Sequence, residues 1–218
     1  MSADHQEIEA RDRRVALHEA AHLTVGRALG ASYGGATINE NSDLGFSGLC
    51  WGPDFQSRLA GSTSSIIDKI DELMPDDGDP RDEETAPIFQ HVVNRVTELC
   101  AGSQAEALYL GDAWPATDDR RQEQQLAGLI FSNRDAAATF ISACALEARA
   151  ILQRHPDVLE ALTAALLEHR TLDGTQIDET IGRAMVARQL AEEHERRRGW
   201  QAVIARANAF EADQMRDA

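Results

Sequence analysis

The stretch DRRVALHEAAHLTVGRAL, residues 12–29, places His18 and His22 four positions apart, with Glu19 directly after the first histidine. This is an HExxH motif within a segment that favours a helix. Positions i and i+4 lie one turn apart on the same helix face, so both imidazoles can reach one ion at about 2.0–2.1 Å. Glu19 is then close enough to take a proton from a water activated by the metal. The motif predicts a zinc site with His18 and His22 as ligands and Glu19 as the catalytic base.

A motif this short also arises by chance, and about one chain in fifty of this composition would carry it. The alternative is a purely structural helical protein whose HExxH has no function. The apolar residues around the motif suit a buried helix, which favours the site: Val15, Ala21, Val25 and Leu29.

The composition is that of a globular protein and excludes several classes of partner. The chain has 218 residues, 43% of them hydrophobic and 27% charged, which is enough for one sizeable domain or two small ones with a real core. Lys+Arg number 21 against 37 Asp+Glu, and a net charge of −16 argues against nucleic acid or an anionic membrane as the main partner. No phosphate-binding GxxxxGK[ST] loop occurs, so the sequence offers no nucleotide motor.

The location expected from the sequence is cytoplasmic. No stretch approaches 18 consecutive apolar residues, and the first residues lack the apolar segment of a secretory signal. The cysteines Cys50, Cys100 and Cys144 are far apart and odd in number, which is typical of reduced thiols.

The apolar spacing predicts a mostly helical fold with one small extended region. Helices are expected over about residues 4–29, over 85–110 and from Thr117 or Asp118, where a side-chain oxygen can cap the first turn. Further helical spacing follows Asp135, with a break at His155-Pro156, a turn at Leu172-Asp173-Gly174 and a charged, amphipathic tail after Gly182. Ala36, Thr37 and Ile38, together with residues 44–46, predict a short hairpin or small sheet.

Several stretches, in order along the chain, resemble the peptidase domain of the FtsH-type zinc metalloproteases. Residues 13–29, RRVALHEAAHLTVGRAL, resemble the zinc-site helix of that family. Residues 36–38, followed by Leu44-Gly45, resemble its active-site edge strand. Residues 99–108, LCAGSQAEAL, resemble its second helix, and residues 147–177 its C-terminal helical hairpin.

This resemblance implies a zincin-like helical peptidase domain over residues 1–182, with an unmatched insert at about 52–88 and a helical extension over 183–218. Ala21 replaces the family's glycine beside the second histidine. The ATPase module and the membrane anchor of the family have no counterpart in this sequence.

The resemblance also implies a third zinc ligand, an aspartate at the start of the helix that follows Gly111. Asp119 lies eight residues before Ala127, which fits the family's spacing, whereas Asp118 misses that register by one residue, or about 100° around a helix. Asp118 suits a helix cap, although it stays open as an alternative ligand. Glu106 is a rival ligand, or an acceptor that holds a ligating histidine from behind.

The expected activity is zinc-dependent hydrolysis of peptide bonds in flexible or unfolded polypeptides, without an ATPase in the chain. The substrate is expected to add as an extended strand along Ala36, Thr37 and Ile38. The alternative is a weakly active or inactive peptidase-like module that binds or regulates, although the presence of Glu19 favours the enzyme. The sequence leaves open a separate ATPase acting in trans and a homo-oligomer.

Overall fold

The computed structural model describes residues 3–40, 47–53 and 85–216. Within these ranges the chain forms six helices: α1 Ala3–Ala28, α2 Thr85–Tyr109, α3 Thr117–Ile130, α4 Arg134–Arg154, α5 Pro156–His169 and α6 Gly174–Arg216. It also forms three short strands: β1 Gly35–Thr37, β2 Leu49–Trp51 and β3 Thr171–Asp173. The expectation of a mostly helical fold with a small β element is confirmed. None of the helices in these ranges is long and apolar enough to cross a membrane.

Helix α1 is the centre of the core, and α2 and α5 pack against it. Its inward residues are fully buried: Ala16, Ala20, Ala21, Leu23 and Val25. Most of them are small, and helix axes can approach more closely where the side chains at the contact are small. The HExxH segment is therefore held on several sides rather than lying on the surface.

The three strands form an antiparallel sheet in the order β2-β1-β3. Ala36 of β1 lies opposite Cys50 on one side and Leu172 on the other. The expectation that residues 36–38 form an edge strand is therefore wrong, because both edges of β1 are paired. Residues 44–46, expected to complete a hairpin, lie outside the described residues, and the hairpin partner is β2.

The predicted turn at residues 172–174 is also wrong, because Thr171–Asp173 is a strand and α6 begins at Gly174. Leu172 is fully buried, so its side chain stabilises the extended strand against β1. The chain reverses at Arg170, two residues before the predicted turn, where a left-handed φ of 61° ends α5. The predicted break at His155-Pro156 is confirmed, with Pro156 at the first position of α5.

The start of α3 differs from the prediction. Its cap residue is Ala116, and no side chain caps the first turn. Asp118 instead accepts hydrogen bonds from Arg121 and Gln122 on the exposed side of the same helix. The chain reaches α3 through a loop that opens at Gly111, whose φ of 84° few other residues adopt.

The remaining predicted boundaries have mixed outcomes. Helix α2 begins at Thr85, as expected, and α6 crosses residue 182 without a break. Most of the predicted insert, residues 54–84, lies outside the described residues.

Candidate metal centre

His18 and His22 project from the same face of α1 toward the first turn of α3. Their ring centroids are 4.8 Å apart, with the rings steeply inclined to each other. The Asp119 carboxylate lies between them, with Oδ2 at 3.1 Å from His18 Nε2 and 3.6 Å from His22 Nε2. The ligand atoms of the three residues all lie within 4.8 Å of one another, so this group could hold a metal ion.

Two of these separations are close to those expected between ligands of a tetrahedral metal ion such as zinc. Ligands bound at about 2.0–2.1 Å on a tetrahedron lie about 3.3 Å from each other. The two separations that involve Asp119, 3.1 and 3.6 Å, bracket that value. Two imidazoles and one carboxylate are also a donor set that zinc takes in catalytic sites, where a fourth position stays open for water or substrate.

The other ring nitrogen of each histidine, Nδ1, forms a hydrogen bond with α2. His18 Nδ1 donates to Glu106 Oε1 at 2.7 Å, and His22 Nδ1 donates to the backbone carbonyl of Glu98 at 2.8 Å. Hydrogen bonds of this kind fix the ring orientation and leave Nε2 to face a metal. Glu106 therefore lies behind His18, on the side of the ring away from Asp119.

Glu106 is itself held in place by several donors. It is 2% exposed, and its second oxygen accepts from Arg14 at 2.9 Å and from the Trp114 backbone N–H at 2.8 Å. Burial alone would raise the pKa of Glu106, but the hydrogen bonds from His18, Trp114 and Arg14 lower it below its usual value. The carboxylate thus stays charged and keeps His18 in one orientation.

The carboxylate of Glu19 lies against β2. Cys50 Sγ donates to Glu19 Oε2 at 3.1 Å, and burial raises the pKa of this thiol, so that it stays protonated as a donor. A Cβ added at Gly48 would lie 2.5 Å from Glu19 Oε1, so the backbone of the segment before β2 touches the carboxylate directly. Burial also raises the pKa of Glu19, against the lowering effect of the charges on His22 and His18.

These groups share one cleft of about 290 Å³. One wall is α1 with the HExxH side chains, and the opposite wall includes residues 114–119 at the start of α3. The segment of residues 47–50 forms a third side, and Arg95 and Glu98 lie at the α2 side. Asp118 lines the cleft but pairs with Arg121 and Gln122, so its carboxylate is engaged away from the histidines.

Gly102 on α2 is required by the position of His18. A Cβ at residue 102 would lie 2.3 Å from both Cε1 and Nε2 of the His18 ring. The ring cannot simply move aside, because Glu106 and Asp119 hold both of its nitrogens.

Gly102→Ala is therefore expected to displace His18 and weaken zinc binding by about 10-fold or more, the usual loss when the support of a ligand fails. Gly128→Ala on α3 is the matched control. Apart from the nearby backbone of its own helix and its chain neighbours, no atom lies within 4 Å of its new Cβ, so helix propensity should stabilise the protein by up to about 1 kcal/mol. Zinc dissociation constants from chelator competition, with melting temperatures of the metal-free proteins, check both. Unchanged zinc affinity in Gly102→Ala would show that the His18 ring can accommodate the added methyl group, and would contradict the prediction.

The metal-free cluster is expected to hold protons that a metal ion must displace when it binds. Burial alone would lower the pKa of His18, but hydrogen bonds to Asp119 and Glu106 and the charge of Glu19 raise it to about 10. Burial alone would raise the pKa of Asp119, yet His22 and His18 hold it well below its usual range. At pH 7 we therefore expect a protonated His18 opposite an ionised Asp119.

Zinc binding near pH 7 should consequently release at least one proton, and the affinity should rise about tenfold per pH unit for each proton released. Calorimetric titrations in buffers of different ionisation enthalpy measure that number. Heats that do not depend on the buffer would contradict the protonated state assigned to His18.

Sequence reasoning missed four contributors to the site: Gly48, Cys50, the Glu98 carbonyl and Gly102. The carbonyl carries no side-chain pattern, and the two glycines matter only because of what packs against them. Tyr33 was also missed. Its hydroxyl lies 2.8 Å from Glu98 Oε1 and 2.9 Å from the His22 carbonyl, which ties the chain after α1 to this part of α2.

Comparison with known proteins adds no family assignment. A scan against protein-family models finds no match for this chain, and a search of curated proteins finds no match. The resemblance to FtsH-type peptidases therefore depends on the residues and spacings of the sequence.

Proposed function

We propose that this chain is a zinc metallopeptidase of the FtsH-type kind that its sequence resembles, with a zincin-like arrangement of helix and strand around the site. The observation that carries the proposal is the position of Glu19. It is a buried carboxylate on the same helix as His18 and His22, in a cleft that also contains Asp119. A module that only binds, or a purely structural helix, does not need a carboxylate base at this position.

A zinc ion, when bound, supplies Lewis-acid chemistry that polarises a peptide carbonyl and acidifies a water molecule. His18 and His22 would hold it through Nε2, and Asp119 through its carboxylate. Glu19 accepts the proton of the attacking water and returns it to the leaving amine. A raised pKa suits this role, because the group must both take and release a proton near neutral pH.

The substrate backbone would lie along β2 instead of along residues 36–38. Both edges of β1 are paired, whereas the cleft is lined by Ser47, Gly48, Leu49 and Cys50. Cys50 and Gly48 also touch the proposed base, so a strand added beside β2 would pass close to it. Pairing through the backbone is indifferent to side chains, which implies weak sequence selectivity and a need for an extended chain.

The direct test is hydrolysis by the purified protein loaded with zinc. Casein and unstructured peptides should be cleaved without ATP, and a chelator should stop cleavage until zinc is restored. A tightly folded substrate should stay intact, because it cannot offer an extended strand. Zinc binding without hydrolysis of any peptide would replace this proposal with the binding or regulatory module, and a protein that binds no zinc would leave a structural helical protein.

A further inference from the structure

The second half of α6 extends away from the rest of the molecule. Its first turns contact the core through Ile177, Ile181 and Ala184. At the end of this contact, Arg188 forms an ion pair with Asp157 at 3.1 Å. From residue 189 to 208 the side chains are exposed, apart from Glu193, which is half-buried. The helix beyond Arg188 spans about 40 Å.

From Val186 onward, the exposed face of α6 carries a regular stripe with the 4-3 spacing of a coiled-coil seam. Its members are Val186, Leu190, Glu193, Arg197, Trp200 and Ile204. The four apolar members are between 45% and 67% exposed. Val186 lies two residues after Ala184, about 200° around the helix, so the stripe faces away from the core. Such spacing is typical of a helix that packs against another helix along a heptad seam.

The stripe is complementary to itself when a second copy runs in the opposite direction. Val186 and Ile204 are equally far from residue 195, as are Leu190 and Trp200, and Glu193 and Arg197. An antiparallel pair centred on Glu195 therefore places an apolar residue opposite every apolar residue. It also places Glu193 of each copy opposite Arg197 of the other.

We propose that this stripe, residues 186–204, is a dimerisation surface, and that its occupant is the same stripe of a second copy of this chain, antiparallel across a two-fold axis at Glu195. Both copies use the same patch, as a two-fold interface requires. The central charged pairs fix the register, as polar residues do within coiled-coil seams. Within one chain Arg197 Nε already reaches Glu193 Oε1 at 2.7 Å, so the two side chains exchange partners in the dimer.

The charges also exclude the parallel alternative. In a parallel pair Glu193 would face Glu193 and Arg197 would face Arg197, and such like-charge contacts disfavour assembly. The antiparallel pair further keeps the two copies at opposite ends of the helix pair, about 40 Å apart by helix rise. That exceeds the screening length of about 8 Å at physiological salt, which matters for a chain of net charge −16.

The test uses the full chain, with mass measured by light scattering over a wide range of protein concentration. The wild type should approach twice its 23.9 kDa as concentration rises. Glu193→Arg and Arg197→Glu should each weaken dimerisation by at least about 100-fold, because each places like charges at the centre of the seam. Circular dichroism confirms that both variants keep their helix.

Mixing the two variants is the decisive measurement. In the mixed pair, position 193 of each copy lies opposite a residue of opposite charge at position 197 of the other, so an equimolar mixture should regain the dimer. The double variant Glu193→Arg/Arg197→Glu should also dimerise, for the same reason. Glu195→Arg is the matched control, since it makes the same charge change on the outer side of the helix and should leave the dimer intact. A wild type that stays monomeric, an assembly unaffected by the single variants, or a mixture that stays monomeric would each overturn the proposal.

Discussion

Replacing Glu19 with glutamine is expected to lower peptide hydrolysis by about 100-fold or more while zinc stays bound. The amide has the same shape and can still accept from Cys50 Sγ, so the local packing should survive. It cannot take a proton from water, which removes the proposed base. The variant also removes a buried ionisable group whose pKa burial already raises, so the free energy of unfolding should not fall.

Cleavage of labelled casein and zinc content per chain give the two readouts. Glu123→Gln on α3 is the matched control, because Glu123 is also buried and its pKa is also raised by burial, but it does not line the cleft. Its activity should equal that of the wild type. Full activity in Glu19→Gln would mean that another group is the base.

Replacing Asp119 with alanine should reduce zinc affinity by more than the about 10–100-fold that the loss of a supporting residue costs. His18 and His22 can supply only two corners of a tetrahedron from one helix, so the third ligand must come from a facing element. Among the described residues, Asp119 completes the group whose ligand atoms lie within 4.8 Å of one another. Activity should fall with the affinity.

Two neighbouring variants separate the possible causes. Asp118→Ala removes exposed contacts to Arg121 and Gln122, so zinc should be unchanged and stability should shift by no more than about 1 kcal/mol. Glu106→Ala frees the ring of His18 and should cost about 10–100-fold in zinc affinity. If Asp119→Ala keeps full zinc while Glu106→Ala loses it, the site uses two histidines and a glutamate.

The helices and the HExxH group could be predicted because their information is local. The spacing of His18 and His22 places them on one face of α1 whatever surrounds that helix. The assignment of Asp119 as a ligand depends on the family resemblance and its spacing to Ala127, because Asp119 lies 101 residues from His18 along the chain. No periodicity connects two positions that far apart.

The strand order could not be predicted, for a related reason. β1 is three residues long, and one of its partners, β3, begins more than 130 residues later. The Asp173-Gly174 dipeptide favours a turn locally, and only the burial of Leu172 against β1 makes the segment extended. The need for a glycine at position 102 could not be predicted either, since it arises from the His18 ring that lies against residue 102 in the fold.

The two histidines and Asp119 come from two helices, α1 and α3, and 101 residues separate His18 from Asp119 along the chain. An ion that binds all three side chains links α1 to α3. These ligands lie close together only in the folded state, so the ion binds the folded chain and stabilises it. The free energy of unfolding therefore rises as the metal binds, by about 2.7 kcal/mol when the free ion is at 100 times its dissociation constant. The melting temperature, followed against a series of divalent ions, would consequently rank the metals that the folded chain prefers.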